Sequence, residues 1–238
     1  MTIKVLASGS RGNCYVIEDG ESTILLDAGI PAVKIREGVG FKLTAVAGAL
    51  ITHRHGDHAK AVKDLTLAGT NVYASEDVFE SVGASGHRCK VIKDGIDGDK
   101  RETFTVGSFR VLPFSVHHDV PNLGFYIHST ATGENLLYFT DTYYISHVFS
   151  KLNYIMAECN FDPAAIDASV KAGRIPIELK KRLMKSHMSI DTFIKMLRKN
   201  DLSGVKQIYL LHLSDNNSRA EDFKKRVQAE SGCEVYIA

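Results

Sequence analysis

Thr52-His53-Arg54-His55-Gly56-Asp57-His58 sets three imidazoles and one carboxylate within seven positions, directly after the apolar run Ala45 to Ile51. No ordinary fold-making pattern needs His53, His55, Asp57 and His58 at this spacing. In an extended segment residues i and i+2 point the same way, so His53 and His55 can share one metal ion. Asp57 and His58 fall where a helix would begin and turn towards a second. The string predicts metal chemistry at the end of a buried strand.

A two-metal centre needs more ligands from other strand ends, and the chain offers them. Leu25-Leu-Asp27 closes one apolar run with a carboxylate. Phe114-Ser-Val-His117-His118-Asp closes another, Leu137-Tyr-Phe-Thr-Asp141 a third and Tyr209-Leu-Leu-His212 a fourth. Any one of these reads well as a hydrogen-bonded strand-end residue. Four of them, beside the histidine string, read as a site.

Strand and helix signals place these residues in a common frame. Short β-rich runs cover Ile3–Ala7, Tyr15–Glu18 and Thr23–Asp27, and a helix follows Pro31. After the strand Ala45–Ile51, the pattern predicts one helix over His58–Ala68, ended by Gly69, then a strand and the short helix Glu76–Val82. Strands return from Arg88 to Phe139, with another at Asn153–Glu158. Helices then dominate to Lys199, before a strand, a helix and a closing strand. The acidic turn Asp94–Asp99 superficially resembles a calcium loop, but Thr105 stands where an EF-hand needs glutamate. Two β-rich halves, each followed by helices, predict an α/β fold: an αββα sandwich of two mixed β-sheets with helices on both outer faces. No linker-like tract divides residues 1–238, so one domain is expected.

The chain has 238 residues, 44% hydrophobic and 24% charged, with net charge +1. Its charge is uneven. Residues 171–199 hold 9 Lys and Arg against 2 Asp and Glu, a local excess of +7. Such a segment is either a solvated helix face or a guide for a polyanion. Four scattered cysteines, no C-x-x-C, no apolar leader and no long apolar run fit a cytoplasmic protein that does not enter membranes. The oligomeric state stays open, a homodimer included. The loop Ser8-Gly-Ser-Arg11-Gly-Asn13 can offer backbone N–H groups and Arg11 to a phosphate, or it is simply a turn.

The order Asp27, His53-x-His55-x-Asp57-His58, His118, Asp141, His212 resembles the metallo-β-lactamase superfamily over essentially the whole chain. That resemblance implies that His53, His55 and His118 hold one metal. Asp57, His58 and His212 would hold the other, with Asp141 bridging and Asp27 orienting a ligand histidine from behind. The family's His-Asp pattern selects His118 over His117. Such ligands suit two divalent ions, zinc first, with manganese also fitting. Two ions, less two aspartates and a bridging hydroxide, leave about +1, which favours an anionic, phosphate-like substrate.

Two further features resemble the phosphodiesterase branch, which includes the tRNA 3′-processing ribonucleases. Met156-Ala-Glu158-Cys-Asn160-Phe-Asp ends a strand, and Ser186-His187-Met-Ser starts a helix before His212. The resemblance is strongest to the YycJ/WalJ-like group, through Val5-Leu-Ala-Ser-Gly-Ser-Arg-Gly-Asn13, Leu-Leu-Asp27-Ala-Gly, Thr140-Asp-Thr, Arg174-Ile-Pro with a basic helix, and His212-Leu-Ser-Asp-Asn-Asn. This chain departs from that group in having Phe161 and His117 where histidine and serine are usual. The resemblance implies a nuclease, DNA exonuclease-like or RNase Z-like, acting on a nucleic acid or nucleotide phosphodiester. A metal-bridging hydroxide would attack phosphorus, and His187, paired with Glu158, would protonate the leaving oxygen. Catalysis would then rest on Asp57, Glu158 and His187, with Arg11, Asn13, Asn160 and Lys185 as substrate contacts. A small-molecule cyclic phosphodiesterase and a glyoxalase II-like thioester or lactone hydrolase are the alternatives.

Overall fold

Parallel strands leave their C-terminal ends side by side, and this chain uses that edge twice. The computed structural model describes residues 1–93, 102–214 and 218–238. The turn Asp94–Asp99 and residues 215–217 of the C-terminal motif lie outside the described residues. Among the described residues the strands form two mixed sheets, of six and seven strands, flanked by helices, as the sequence leads one to expect. The chain divides into two compact units, Met1–Ser115 with Val120–Glu134, and Val116–Asp119 with Asn135–Ala238.

In the first unit, β1 (Thr2–Ala7), β2 (Cys14–Glu18) and β3 (Thr23–Leu26) pair antiparallel. The helix α1 (Ala32–Gly38) follows, and β4 (Val46–Leu50) then runs parallel to β3, with Leu26 opposite Leu50. That register brings Asp27 beside the segment that leads into His53. Further on come α2 (Gly56–Ala59), α3 (Val62–Leu67), β5 (Val72–Ala74), α4 (Glu76–Val82) and β6 (Cys89–Val91). Helices α1, α3 and α4 bury Ile35, Val62, Leu65, Val78 and Phe79 in one cluster with Leu25, Ala49, Ile51 and Val72. Each such side chain contributes about 1.5–3 kcal/mol of burial. The unit also contains β7 (Phe104–Val106), antiparallel to β8 (Phe109–Val116), and β9 (Asn122–Ser129).

The sequence predicts one helix over His58–Ala68, whereas the structure has two, α2 and α3. The reason is a hydrogen bond diverted from the helix. A continuous helix would send the Ala61 N–H to the Asp57 carbonyl. Here it donates to the Ala28 carbonyl at 2.8 Å, and the Asp57 carbonyl accepts from Asn13 N at 2.8 Å. The His58 carbonyl likewise accepts from Ala28 N at 2.8 Å. The short helix bearing Asp57 and His58 is thereby strapped to the ends of β2 and β3. This close approach requires Gly29, where a Cβ would lie 1.7 Å from the Asp57 carbonyl oxygen.

In the second unit, β10 (Asn135–Phe139), β11 (Tyr154–Glu158), β12 (Gln207–Leu211) and β13 (Glu234–Ile237) are successively parallel. Phe139 pairs with Ala157, and Glu158 with Leu211, so Asp141, Glu158 and His212 emerge at one edge. Three helices, α5 (Pro163–Lys171), α6 (Ile177–Ser186) and α7 (Ile190–Lys199), fill the span between β11 and β12, and α8 (Ala220–Ser231) precedes β13. Asp162 caps α5 through Ala164 N, and Ser189 caps α7 through Thr192 N. Helix α7 buries Ile190, Phe193, Met196 and Leu197, whereas α6 buries only Ser186. None of the described helices is long and apolar enough to cross a membrane.

Gly29→Ala is expected to destabilise the metal-free protein by about 1–3 kcal/mol in a urea melt, because backbone must move to admit the methyl. Gly56→Ala meets nothing within 4 Å. It should be neutral or stabilising by up to about 1 kcal/mol. Equal effects at the two positions would refute the close-approach argument.

Candidate metal centre

Each unit assembles its own set of ligand-type side chains. In the first, Asp27 lies at the end of β3 and is wholly buried. Its Oδ1 accepts from Thr52 N at 2.8 Å and from the Thr52 hydroxyl at 3.0 Å. Its Oδ2 stands 2.7 Å from His58 Nδ1, a charge-assisted contact. The Thr52 hydroxyl also meets His53 Nδ1 at 3.0 Å. Since that hydroxyl gives its proton to Asp27, it accepts from His53. Both His53 and His58 thus carry the proton on Nδ1, which leaves each Nε2 with the lone pair that a metal could use.

This arrangement suits a metal. His53 Nε2 and His55 Nδ1 are 3.1 Å apart with the rings nearly perpendicular, at 81°. Two ligands on a tetrahedral zinc with bonds of about 2.0–2.1 Å would be separated by ~3.3 Å. His58 Nε2 lies 3.7 Å from Asp57 Oδ2. His53 and His58 are buried, while His55 and Asp57 are half-buried and open to a ligand.

In the second unit, Asp141, Glu158, His187 and His212 each offer a ligand atom within 4.8 Å of the others. Asp141 faces two histidines with different oxygens. Oδ1 is 2.9 Å from His212 Nδ1, and Oδ2 is 3.9 Å from His118 Nε2. A carboxylate set this way can serve two ions. Thr140 donates its hydroxyl to Asp141 Oδ1 at 2.7 Å, which fixes the plane of the group. His117, by contrast, is exposed and its ring lies 5.5 Å from that of Tyr143.

Glu158 is wholly buried, and its Oε1 stands 2.5 Å from His187 Nδ1. Oε2 accepts from Thr142 N at 2.9 Å and from Met188 N at 3.4 Å. Burial alone would raise the Glu158 pKa, but the His187 charge and hydrogen bond outweigh it and hold the carboxyl below its usual range. For His187, burial disfavours the imidazolium, yet the Glu158 carboxylate prevails and raises the pKa above the ordinary value. Both shifts run towards an ionised carboxylate and a protonated imidazole, beside Asp141 and His212. The Cys14 and Cys159 thiols are pushed well up by burial, so neither is a nucleophile at neutral pH.

Of the residues the sequence marks as substrate contacts, Arg11 and Lys185 are exposed. Asn13 and Asn160 are instead buried, and their amides serve the site from within. Asn13 Nδ2 donates to the Gly9 carbonyl at 3.1 Å and the Asp57 carbonyl at 3.3 Å, and lies 3.1 Å from His58 Nε2. Asn160 Nδ2 donates to the His212 carbonyl at 2.7 Å, holding the backbone there. Three threonines, at 52, 140 and 142, escaped the sequence reading as positioning residues. Their adjacency to His53 and Asp141 was the available signal.

The comparisons agree with this geometry. Residues 22–213 match the family model described as the beta-lactamase superfamily domain. Exodeoxyribonuclease YycJ of Bacillus anthracis is 30% identical over 234 residues, covering 90% of this chain and 83% of the relative. Exodeoxyribonuclease WalJ of Streptococcus pneumoniae is 28% identical over 233 residues, covering 91% and 83%. Among solved structures, the metallo-beta-lactamase fold protein YhfI from Bacillus subtilis superposes with a TM-score of 0.73 at 18% identity, covering 99% of this chain and 95% of that one. A histidine-aspartate string after β4, carboxylates and histidines at parallel strand ends, and two mixed sheets beneath them share one origin: the chain belongs to the β-lactamase superfamily.

Proposed function

We propose that this chain is a metal-dependent hydrolase of phosphodiester bonds, working on nucleic acid as an exodeoxyribonuclease. The observation that carries the reading is the Glu158–His187 pair, 2.5 Å apart and adjoining Asp141 and His212. The names of the two curated relatives support it. Residues 1–238 are taken as one domain in this reading.

His53, His55 and His118 are our assignment for one divalent ion, Asp57, His58 and His212 for the other, with Asp141 serving both. The imidazole and carboxylate set favours zinc and accommodates manganese. Such ions, when bound, supply Lewis acidity to the phosphoryl oxygens and an activated water at neutral pH. The chain's own residues do the rest. Asp27 and Thr52 keep His53 and His58 in the ligating tautomer. Glu158 fixes the His187 ring through Nδ1, which leaves Nε2 to deliver a proton to the departing oxygen. A thioester hydrolase expels a thiolate that needs no such acid, so the pair favours phosphodiesters over that alternative. Free thiols at Cys14, Cys89, Cys159 and Cys233 are in keeping with a cytoplasmic site of action.

His187→Ala should lower kcat by about 10²–10⁴-fold while leaving the bound metal per chain unchanged by elemental analysis. Metal loss in that variant would show His187 to be a ligand rather than an acid. Asp27→Asn is expected to weaken metal binding by about 10–100-fold in chelator competition, since the amide cannot match the carboxylate behind His58. Unchanged affinity would remove Asp27 from its positioning role. The function itself is tested with wild type and Asp57→Ala on 5′-phosphorylated DNA, RNA, cyclic nucleotides and a thioester, with zinc or manganese. DNA cleavage by wild type alone is expected, and activity on the thioester alone would overturn the reading.

A further inference from the structure

We infer that a cavity beside α7 is a subsite for single-stranded DNA, taking a base and its flanking phosphates away from the reacting bond. The inference rests on the phosphodiesterase reading above. The cavity has a volume of about 440 Å³ and is walled by Tyr144 and Ile145 on one side and by Lys195, Met196 and Lys199 of α7 on the other. That size is within the range of small-ligand pockets, about 300–1,000 Å³.

Its chemistry is that of a nucleotide with a charged backbone. Ile145 and Met196 make an apolar floor, 4% and 5% exposed, while Tyr144 is 38% exposed. The Lys199 ammonium lies 5.4 Å from the centre of that ring and 3.4 Å from its hydroxyl. Arg198, also at the rim, is neutralised by Glu230 through contacts of 2.9 and 2.6 Å. Lys195 and Lys199 are in no ion pair among the described residues, so the rim keeps two positive charges. An aromatic platform with adjoining cations is the means by which proteins hold single strands without reading sequence.

Both walls lead back to the site. Tyr144 stands three residues after Asp141, and its carbonyl accepts from the Thr142 hydroxyl at 3.0 Å. Thr142 N in turn donates to Glu158 Oε2 at 2.9 Å. The other wall, α7, begins at Ile190, just past His187, and its ten residues end at Lys199. A helix of that length spans ~15 Å, so a strand with its reacting bond at His187 reaches the cavity some 10–15 Å further along. A cyclic mononucleotide is too short to occupy both places. The cavity thus accounts for the C-terminal part of the basic segment 171–199 by giving its lysines a ligand.

The test measures binding of a 3′-labelled, 5′-phosphorylated oligothymidylate of about 12 nucleotides to the 238-residue, metal-free protein by fluorescence anisotropy across a salt series. Lys195→Ala/Lys199→Ala should weaken binding about tenfold and flatten the log K against log salt slope by about 1.4, the value for two phosphate contacts on a single strand. Tyr144→Ala should weaken it by about tenfold, and Tyr144→Phe by less than about twofold. Lys42→Ala/Lys90→Ala, two exposed lysines of the first unit, is the control and should change little. Unaltered binding in the cavity variants, an equal loss in the control, or no oligonucleotide binding by wild type would overturn the subsite. Wild type with zinc or manganese is assayed separately on a chromogenic phosphodiester. Hydrolysis without oligonucleotide binding sinks the subsite alone. Binding in the expected pattern without hydrolysis of any diester sinks the phosphodiesterase reading.

Discussion

A single buried carboxylate organises the first unit. Asp27 has no exposed surface, and a buried charge without partners would cost several kcal/mol. Its partners are therefore obligatory, and they include the Thr52 amide, the Thr52 hydroxyl and the His58 imidazole. Satisfying Asp27 fixes which nitrogen of His58 is protonated and, through Thr52, which nitrogen of His53 is. It also joins the ends of β3 and β4 to the start of α2. The polar requirement of one side chain sets the orientation of two imidazoles.

The second unit meets a similar demand by topology. Parallel neighbours β10, β11 and β12 end together, so three consecutive strand ends contribute Asp141, Glu158 and His212 without long loops. Glu158 then receives two backbone N–H groups as well as His187. An ionised carboxylate is tolerated there because two backbone N–H groups and an imidazole converge on it in place of water. The histidine it orients stands at the break between α6 and α7, close to Asp141 yet half-exposed.

Much of this was legible in the sequence because ligand chemistry and strand periodicity are local signals. The strand ends at Asp27, Asp141, Glu158 and His212 follow from apolar runs that stop at a polar residue. The helix over His58–Ala68 was misjudged because its interruption is not local. Ala61 gives its N–H to Ala28, and Asp57 receives one from Asn13, across more than thirty residues of chain. Asn13 and Asn160 show the same limit of local reading. An asparagine near a site looks like a contact for ligand, and only the tertiary structure reveals that its amide is already committed to a carbonyl. Gly29 gave no sign of its importance, since the clash that excludes a side chain there comes from Asp57, far along the chain.

Asp27, Asp141 and His212 all adopt left-handed backbone conformations, with φ of 56°, 50° and 52°. Non-glycine residues hold such angles at a cost of order 1–3 kcal/mol, less for aspartate, when the surroundings insist on it. These positions therefore oppose two selective pressures. Glycine would relax the backbone at each of them and remove a group that the site uses. At Asp27 the exchange would cost more than it returned, because glycine would relieve the strain but leave the Thr52 amide and the His58 imidazole without their carboxylate.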